Sequence, residues 1–343
     1  MVAERVRGRV AVAVAGATGY AGLCLVHLLA THPGVRLAQL SSRSLAGRPL
    51  SAAFPLLDLE GSFVPAAAPD GLDVVFSCLP HGEGAPSVAA WLESGAIVID
   101  MSADFRLKDP ARYPALYGRA HPLPGLLGAA VPGLPELHAA ELAEARLVAV
   151  PGCYATAAIL ALAPAAAAGL AGPEVVIDAK SGVSGAGRSP GLGVHFSEVN
   201  ESAGAYAVIG HRHLPEIVQE LAALSAGATP RITFVPHLLP MTRGILVTCY
   251  FDLQVPIERL REVYRDFYAG QPFTRLVDEP PPTKLVSHTN HCLVNVGAQG
   301  AKAVVTAAID NLGKGASGQG VECFNLAFGF DRTEALGGPV QWP

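Results

Sequence analysis

Residues 10–30 read VAVAVAGATGYAGLCLVHLLA, three kinds of segment in one short span. Val10 to Ala15 is an apolar run carrying the β-branched residues that strands favour. Gly16-Ala17-Thr18-Gly19-Tyr20-Ala21-Gly22 then turns the chain, and Tyr20 to Thr31 places Leu23, Val26, Leu28 and Leu29 on a helix that His32-Pro33-Gly34 stops. In that context a glycine pattern has a physical meaning: tight turning lets the backbone approach a pyrophosphate, which then sits on N–H groups at the helix start. Gly16, Thr18, Gly19, Tyr20 and Gly22 are therefore candidate cofactor contacts.

Reading outward, Val35 to Leu40, Val74 to Cys78, Ile97 to Ile99 and Leu147 to Val150 are further short apolar runs, with a helical Gly84 to Ser94 between two of them. Such alternation predicts a doubly wound parallel sheet. An NAD site is expected to end its second strand on Asp or Glu; here Ser41-Ser42-Arg43-Ser44 stands there, and Ser42 with Arg43 suits a 2′-phosphate, favouring NADP(H). After Val150 the texture changes to longer strands, Val175 to Lys180, Ile232 to Val235 and Ile245 to Leu253, for which a mainly antiparallel sheet with helices on one face is expected. The fold expected is thus α/β, a wound nucleotide-binding half followed from about residue 151 by a half of different, α+β texture.

The 24 basic and 29 acidic side chains among 343 residues give a formal charge of −5, which offers no footprint for nucleic acid. Half the chain is hydrophobic, which excludes a disordered chain. Arg5, Arg7 and Arg9 before an apolar run mimic a signal peptide, but Gly16 to Gly19 breaks that run; uncharged Gly152 to Gly172 is mostly alanine with Pro164, and reads as a packed helix rather than a membrane span. Six scattered cysteines with no CxxC pair point to a reduced, cytoplasmic protein.

Pro151-Gly152-Cys153-Tyr154-Ala155-Thr156 is the sharpest chemical signal. It sets a thiol at the start of a long helix, where the dipole favours thiolate and neighbouring N–H groups can hold an oxyanion. Gly210-His211-Arg212-His213-Leu214-Pro215-Glu216 brings two imidazoles to a second helix start, with Glu216 three residues from His213 and able to orient its ring. A zinc reading of those histidines lacks a third ligand at recognised spacing, so no metal is expected. Ser181 to Arg188, with Gly185, is a second glycine loop fit for cofactor or anion, and Arg106 in Ser102-Ala103-Asp104-Phe105-Arg106 follows a strand at the ligand edge of the sheet. Arg106 and Arg188 are candidate clamps for an anionic small-molecule substrate.

These motifs, with LPHG at 79–82, GLPEL at 133–137, SGVSGAGR at 181–188 and AIDNLGKG at 308–315, resemble N-acetyl-gamma-glutamyl-phosphate reductase of arginine biosynthesis, a relative of aspartate-semialdehyde dehydrogenase. The likeness spans nearly the whole chain; Ala155 stands where proline is common, and Pro132-Gly133 where Tyr-Gly is. The resemblance implies a Rossmann-like NADP-binding domain over 1–150 with the C-terminal region 312–343, an α+β catalytic and oligomerisation domain over 151–311, and NADPH-dependent reduction of an acyl phosphate to a semialdehyde through a thioester on Cys153. It gives His213 the acid/base role, with His211 and Arg106 near the substrate, Asn311 near the nicotinamide and Leu79, Pro80 and His81 along the cofactor. A homo-oligomer, dimer or tetramer, and no membrane partner are expected. The runner-up within the same chemistry is the carrier-bound aminoadipyl or glutamyl phosphate reductase of lysine biosynthesis; a silent NADP-sensing module is the alternative from another class. A Tyr-Lys short-chain reductase fails because no tyrosine has lysine four residues on.

Overall fold

The computed structural model describes residues 8–225 and 230–338. Arg5, Arg7 and the end of the predicted C-terminal region, 339–343, lie outside the described residues. The chain divides into two compact units, one running to Pro151 and resumed over Ala316–Gly338, the other Gly152–Gly315.

The first unit runs β1 (Val10–Ala15), α1 (Tyr20–Ala30), β2 (Val35–Leu40), β3 (Val74–Ser77), α2 (Ala85–Glu93), β4 (Ile97–Asp100), α3 (Tyr113–Tyr117), β5 (Val131–Pro132), α4 (Pro135–Glu144) and β6 (Leu147–Ala149). Its strands lie in the order β2-β1-β3-β4-β6-β5, every pair parallel. β1, β3, β4 and β6 are buried at every position, which is why they read as unbroken apolar runs rather than alternating ones. Strand order reverses between β1 and β3, the switch point where wound sheets leave a ligand crevice. Gly16 sits there: at φ +81° it follows β1, and a Cβ on it would lie 2.7 Å from Cys78 O after β3.

The second unit runs α5 (Cys153–Ala167), β7 (Glu174–Gly182), α6 (Phe196–Val199), β8 (Gly204–Ala205), α7 (Leu214–Leu224), β9 (Arg231–Leu239), β10 (Ile245–Asp252), α8 (Ile257–Phe267), β11 (Thr274–Leu276), β12 (Cys292–Gln299) and β13 (Lys302–Ile309). Its seven strands order β11-β12-β13-β10-β7-β9-β8. The expectation of a mainly antiparallel sheet is corrected here: the sheet is mixed. β7 and β9 pair in parallel from Glu174↔Arg231 to Gly182↔Leu239, because α7 carries the chain back over the sheet before β9 begins, and β11 pairs in parallel with β12.

α5 is apolar all round and buried from Tyr154 to Ala166, as befits a helix enclosed by its own unit. Pro164 lies inside it and cannot donate to Leu160 O. Tyr268 OH, from the residue after α8, takes that carbonyl instead, and Tyr264 OH of α8 donates to the next one, Ala161 O, at 2.7 Å. After β13 the chain returns to the first unit with α9 (Gly318–Phe328), which packs on α1, α4 and β4. No described helix is long and apolar enough to cross a membrane.

Candidate active site

β6 ends, Pro151-Gly152 turns, and Cys153 becomes the first residue of α5. Gly152 caps the helix in extended conformation without a side-chain cap, and its O receives the first-turn N–H of Thr156 at 2.8 Å. Its own N–H is taken by Glu216 Oε2 at 2.8 Å. A Cβ on Gly152 would lie 2.2 Å from His213 Nε2, so only glycine lets that ring lie flat against the chain beside the thiol. From the other side Gly315 approaches so closely that a Cβ there would be 2.8 Å from Cys153 Cβ. Cys153 is half-buried, whereas burial pushes the Cys78 thiol up to about 12 and holds Cys249 well above the usual thiol range. None of the six cysteines is in a disulfide.

His213 and Glu216 stand at the start of α7, both buried. Glu216, expected to orient the His213 ring, receives the Gly152 N–H on its Oε2. His211 Nδ1 accepts the backbone N–H of His213 at 3.1 Å, which leaves the ring proton on Nε2 in the neutral tautomer. Burial, followed by the charge of Arg212, pushes the His211 pKa down to about 4. Its ring meets Tyr154, Tyr206 and Phe234 edge-on or tilted with centroids 5.3 to 5.7 Å away. Tyr206 OH donates to Tyr154 OH at 3.3 Å and Tyr154 OH to His237 O at 2.8 Å, with burial raising both phenols, so both stay neutral. Neither tyrosine was singled out in the sequence.

These groups open on a cavity of about 760 Å³, lined by Cys153, Ser181, Gly185, Tyr206, His211 and His213 among others. Its glycine loop is pinned rather than loose. Asn311 is buried, accepting Gly244 N–H at 2.7 Å and donating to Ser184 Oγ at 2.9 Å, so both ends of its amide are spent on shaping the loop. Its neighbour Asp310, which sequence reading passed over, receives Arg243 Nε and the backbone N–H groups of His288, Leu312 and Gly313, and so holds the turn that carries Gly315 to the thiol. The AIDNLGKG string contained that signal: a buried Asp before glycines tends to cap the turn it begins. Arg188 is exposed on the loop beyond.

In the first unit the glycine turn divides by role. A Cβ on Gly22 would lie 2.3 Å from Gly16 O, so the chain's own packing demands glycine there. Gly19 meets nothing closer than Gly16 O at 3.7 Å and caps α1 without a side-chain bond, leaving the helix start open to an anion. That is the cradle a dinucleotide needs. Thr18 Oγ1 and Ser42 Oγ are 2.9 Å apart, so Ser42, buried, ties the end of β2 to the turn. Arg43 is exposed and ion-paired with Glu83; Tyr20 is exposed beside the turn. Leu79, Pro80 and His81 follow β3, where Asp104 Oδ1 lies 2.5 Å from His81 Nδ1 and receives Gly82 N–H at 2.6 Å. Burial alone would raise the Asp104 pKa, but the bonds from His81, Gly82 and Ala85 together hold it below the usual range. Arg106 spends Nε on Val150 O at 2.8 Å and Nη2 on Met101 O at 3.0 Å, bracing the ends of β4 and β6. Among the described residues no group of three or more His, Cys, Asp or Glu is placed to hold a metal ion.

The family model described as semialdehyde dehydrogenase, NAD binding domain, matches residues 11–145, and that described as semialdehyde dehydrogenase, dimerisation domain, matches 153–311. A protein named N-acetyl-gamma-glutamyl-phosphate reductase from Dehalococcoides mccartyi strain CBDB1 is 50% identical over 323 residues, covering 93% of this chain and 95% of that one. One of the same name from Symbiobacterium thermophilum is 47% identical and covers 96% and 98%. Among solved structures, aspartate semialdehyde dehydrogenase II of Vibrio cholerae is 16% identical with a TM-score of 0.71, covering 93% of this chain and 98% of that one, a likeness of fold. The Candida albicans aspartate semialdehyde dehydrogenase solved with NADP is 15% identical with a TM-score of 0.68, covering 93% and 98%.

Proposed function

The chain belongs to the semialdehyde dehydrogenase family and, within it, to the N-acetyl-gamma-glutamyl-phosphate reductases, and from that premise we propose that Cys153 is the acyl acceptor, served by His213. The reaction is the reduction of N-acetyl-L-glutamyl 5-phosphate to N-acetyl-L-glutamate 5-semialdehyde and phosphate, in arginine biosynthesis. The observation that carries the residue assignment is the convergence of thiol, imidazole and helix start on one cavity.

Cys153 thiolate attacks the acyl carbon, the carbon–oxygen bond to phosphate breaks, and a thioester remains on sulfur. N–H groups of the α5 start face the oxygen that carries developing charge. When bound, NADPH supplies the hydride that reduces the thioester carbon. His213 lends a proton to the oxygen of the reduced adduct and takes it back as the carbon–sulfur bond breaks, so the aldehyde leaves with the thiolate restored. His211, neutral down to pH about 4, has no spare proton to give as an acid at neutral pH, and it serves as a fixed Nε2–H donor. Glu216 supports the thiol indirectly, by fixing Gly152.

In the first unit, Gly16, Gly19 and Gly22 with Thr18 and Tyr20 would hold the pyrophosphate of NADP(H), Arg43 and Ser42 the 2′-phosphate, and Leu79 to His81 the nicotinamide side. Arg106 and Arg188 supply positive charge toward the substrate's phosphate and carboxylate, and Gly185 offers backbone to the cofactor from a loop that Asn311 shapes. Domain limits follow as 1–150 with 312–343 for cofactor and 151–311 for catalysis. We read the homo-oligomer as a dimer or tetramer and the compartment as the cytoplasm, where a catalytic thiol stays reduced.

The test is run backwards. Oxidation of N-acetyl-glutamate semialdehyde by NADP, followed through NADPH absorbance, should depend saturably on added phosphate, with arsenate able to replace it. In phosphate-free buffer turnover should stop after about one equivalent per site, because the thioester waits for an acceptor. Rapid multiple turnover without either anion would make water the natural acceptor and overturn the acyl-phosphate reading.

A further inference from the structure

The second unit holds another cavity, of about 690 Å³, where α8 meets the end of the sheet at β11 and β12. It shares no lining residue with the cavity that holds Cys153. Three arginines line it, Arg261 and Arg265 from α8 and Arg275 from β11. Residues four apart share a helix face, so the α8 pair sets like charge beside like charge. A surface helix commonly gives such a cation a carboxylate, and α8 does so for Arg259, which pairs with Glu262 at 3.0 Å. Arg265 and Arg275 have no hydrogen bond or ion pair among the described residues, and Arg261 has the bond from its Nε to Val296 O at 2.9 Å. Asp278 lines the cavity too but is ion-paired with none of the three. Asn295 of β12, 8% exposed, completes the lining. Its Nδ2 donates to Val277 O at 3.0 Å and Asp278 O at 2.8 Å, which fixes the amide, while its Oδ1 accepts no hydrogen bond from the chain. A nearly buried acceptor is costly to leave open unless something donates to it.

We propose that this cavity binds a small phosphate monoester that also carries hydroxyl or N–H donors. A dianion matches a lining of three positive charges and one negative, and a planar guanidinium presents its N–H groups to phosphate oxygens two at a time. Asn295 Oδ1 and the Asp278 carboxylate can only accept, so the rest of the ligand must donate. A sugar phosphate and a nucleoside monophosphate share that chemistry, and the cavity lies within the roughly 300–1,000 Å³ of small-molecule sites. The wall is set before any ligand arrives: Tyr268, which also lines the cavity, is anchored by its OH to Leu160 O. The site goes beyond the reaction proposed above and uses none of its groups.

The experiment is calorimetric titration of the full-length protein at fixed ionic strength, with NADP saturating so that the cofactor's own phosphate contacts are filled. Ribose 5-phosphate, adenosine monophosphate and plain ribose are the three probes. At least one phosphate should bind with a Kd below about 1 mM and ribose should give no signal. Arg265→Gln/Arg275→Gln removes two exposed guanidiniums that bond to nothing in the chain, so the fold should keep its Tm while phosphate binding weakens at least about tenfold, the loss of a charge-assisted bond. Arg188→Gln, on the glycine loop after β7, should bind the phosphates like the wild type. Tighter binding of adenosine monophosphate would identify the nucleotide as the source, and equal or tighter binding of ribose 5-phosphate the sugar phosphate. A wild type that binds neither phosphate, or a double variant that binds both undiminished, would overturn the site. Ribose bound as well as its phosphate would overturn the ligand class, and weakening by Arg188→Gln would move the binding away from α8 and overturn the assignment. No turnover is measured, so failure of the acyl-phosphate reading would show separately in the phosphate-dependence assay.

Discussion

The molecule contains two helices that begin alike and are used differently. α1 and α5 both follow a buried parallel strand, both are capped by an extended glycine, Gly19 or Gly152, and neither cap has a side-chain bond. At α1 the close approaches are backbone on backbone, Gly22 against Gly16, and the space before the helix is open. At α5 the same space is crowded: the His213 ring lies on Gly152, the Glu216 carboxylate holds its N–H, and the Gly315 backbone presses on Cys153. In the roles we propose, one geometry thus serves as an anion cradle where the helix start is left bare and as a reaction centre where it is crowded. The fixed charge of the helix end is common to both; the neighbours choose the chemistry.

The strongest way to break this contrast is Cys153→Ser, which should lower turnover roughly a thousandfold or more while NADPH binding and thermal stability stay at wild-type values. Activity above a few per cent, roughly, would remove α5 as the reaction centre. Next come the two glycines. Gly152→Ala should displace the His213 ring and lower kcat about a hundredfold with little change in Tm, whereas Gly22→Ala drives a Cβ into backbone and should cost about 1–3 kcal/mol of stability along with NADPH affinity. The same phenotype from both would erase the distinction between a chemical and a structural helix start. Arg43→Ala sharpens the α1 side: NADPH should weaken about tenfold to a hundredfold more than NADH, the worth of a charge-assisted bond.

The smallest expected effect is a pH slope. His211 has a folded pKa of about 4 against an ordinary 6.5, so the unfolded chain takes up the proton first. Its stabilising contribution is whole above pH 6.5 and is lost as pH falls toward 4. Thermal scans of His211→Gln should therefore show a shallower loss of Tm across that window than wild type, and equal slopes would mean that the imidazole is not held neutral.

The parallel sheet was legible because its strands are covered on both faces and announce themselves as apolar runs; only β5, two residues long, left no trace. The second sheet was misjudged in direction because strand direction is set by the crossover through α7, whose helix was read as a site element and not as a connection. β12 escaped because Asn295 and Gly297 interrupt its apolar pattern. In the site, Cys153, His211, His213 and Glu216 could be named from helix-start chemistry. Asp310, Asn311 in its loop-shaping position, Tyr154 and Tyr206 depend on partners far along the chain, Arg243, Gly244 and His237 among them, and no local pattern encodes those meetings.

The return of α9 to the first unit has a consequence for how the protein is made. A Cβ on Gly320 would lie 2.9 Å from Met101 Sδ, and Phe324 meets Phe76 at 6.0 Å between ring centroids, so this helix is packed into the sheet rather than laid on it. Its residues leave the ribosome only after the whole of the other unit. The cofactor unit is thus the first begun and the last finished, and a chain that stops short of Gly318 carries a sheet with one side unroofed.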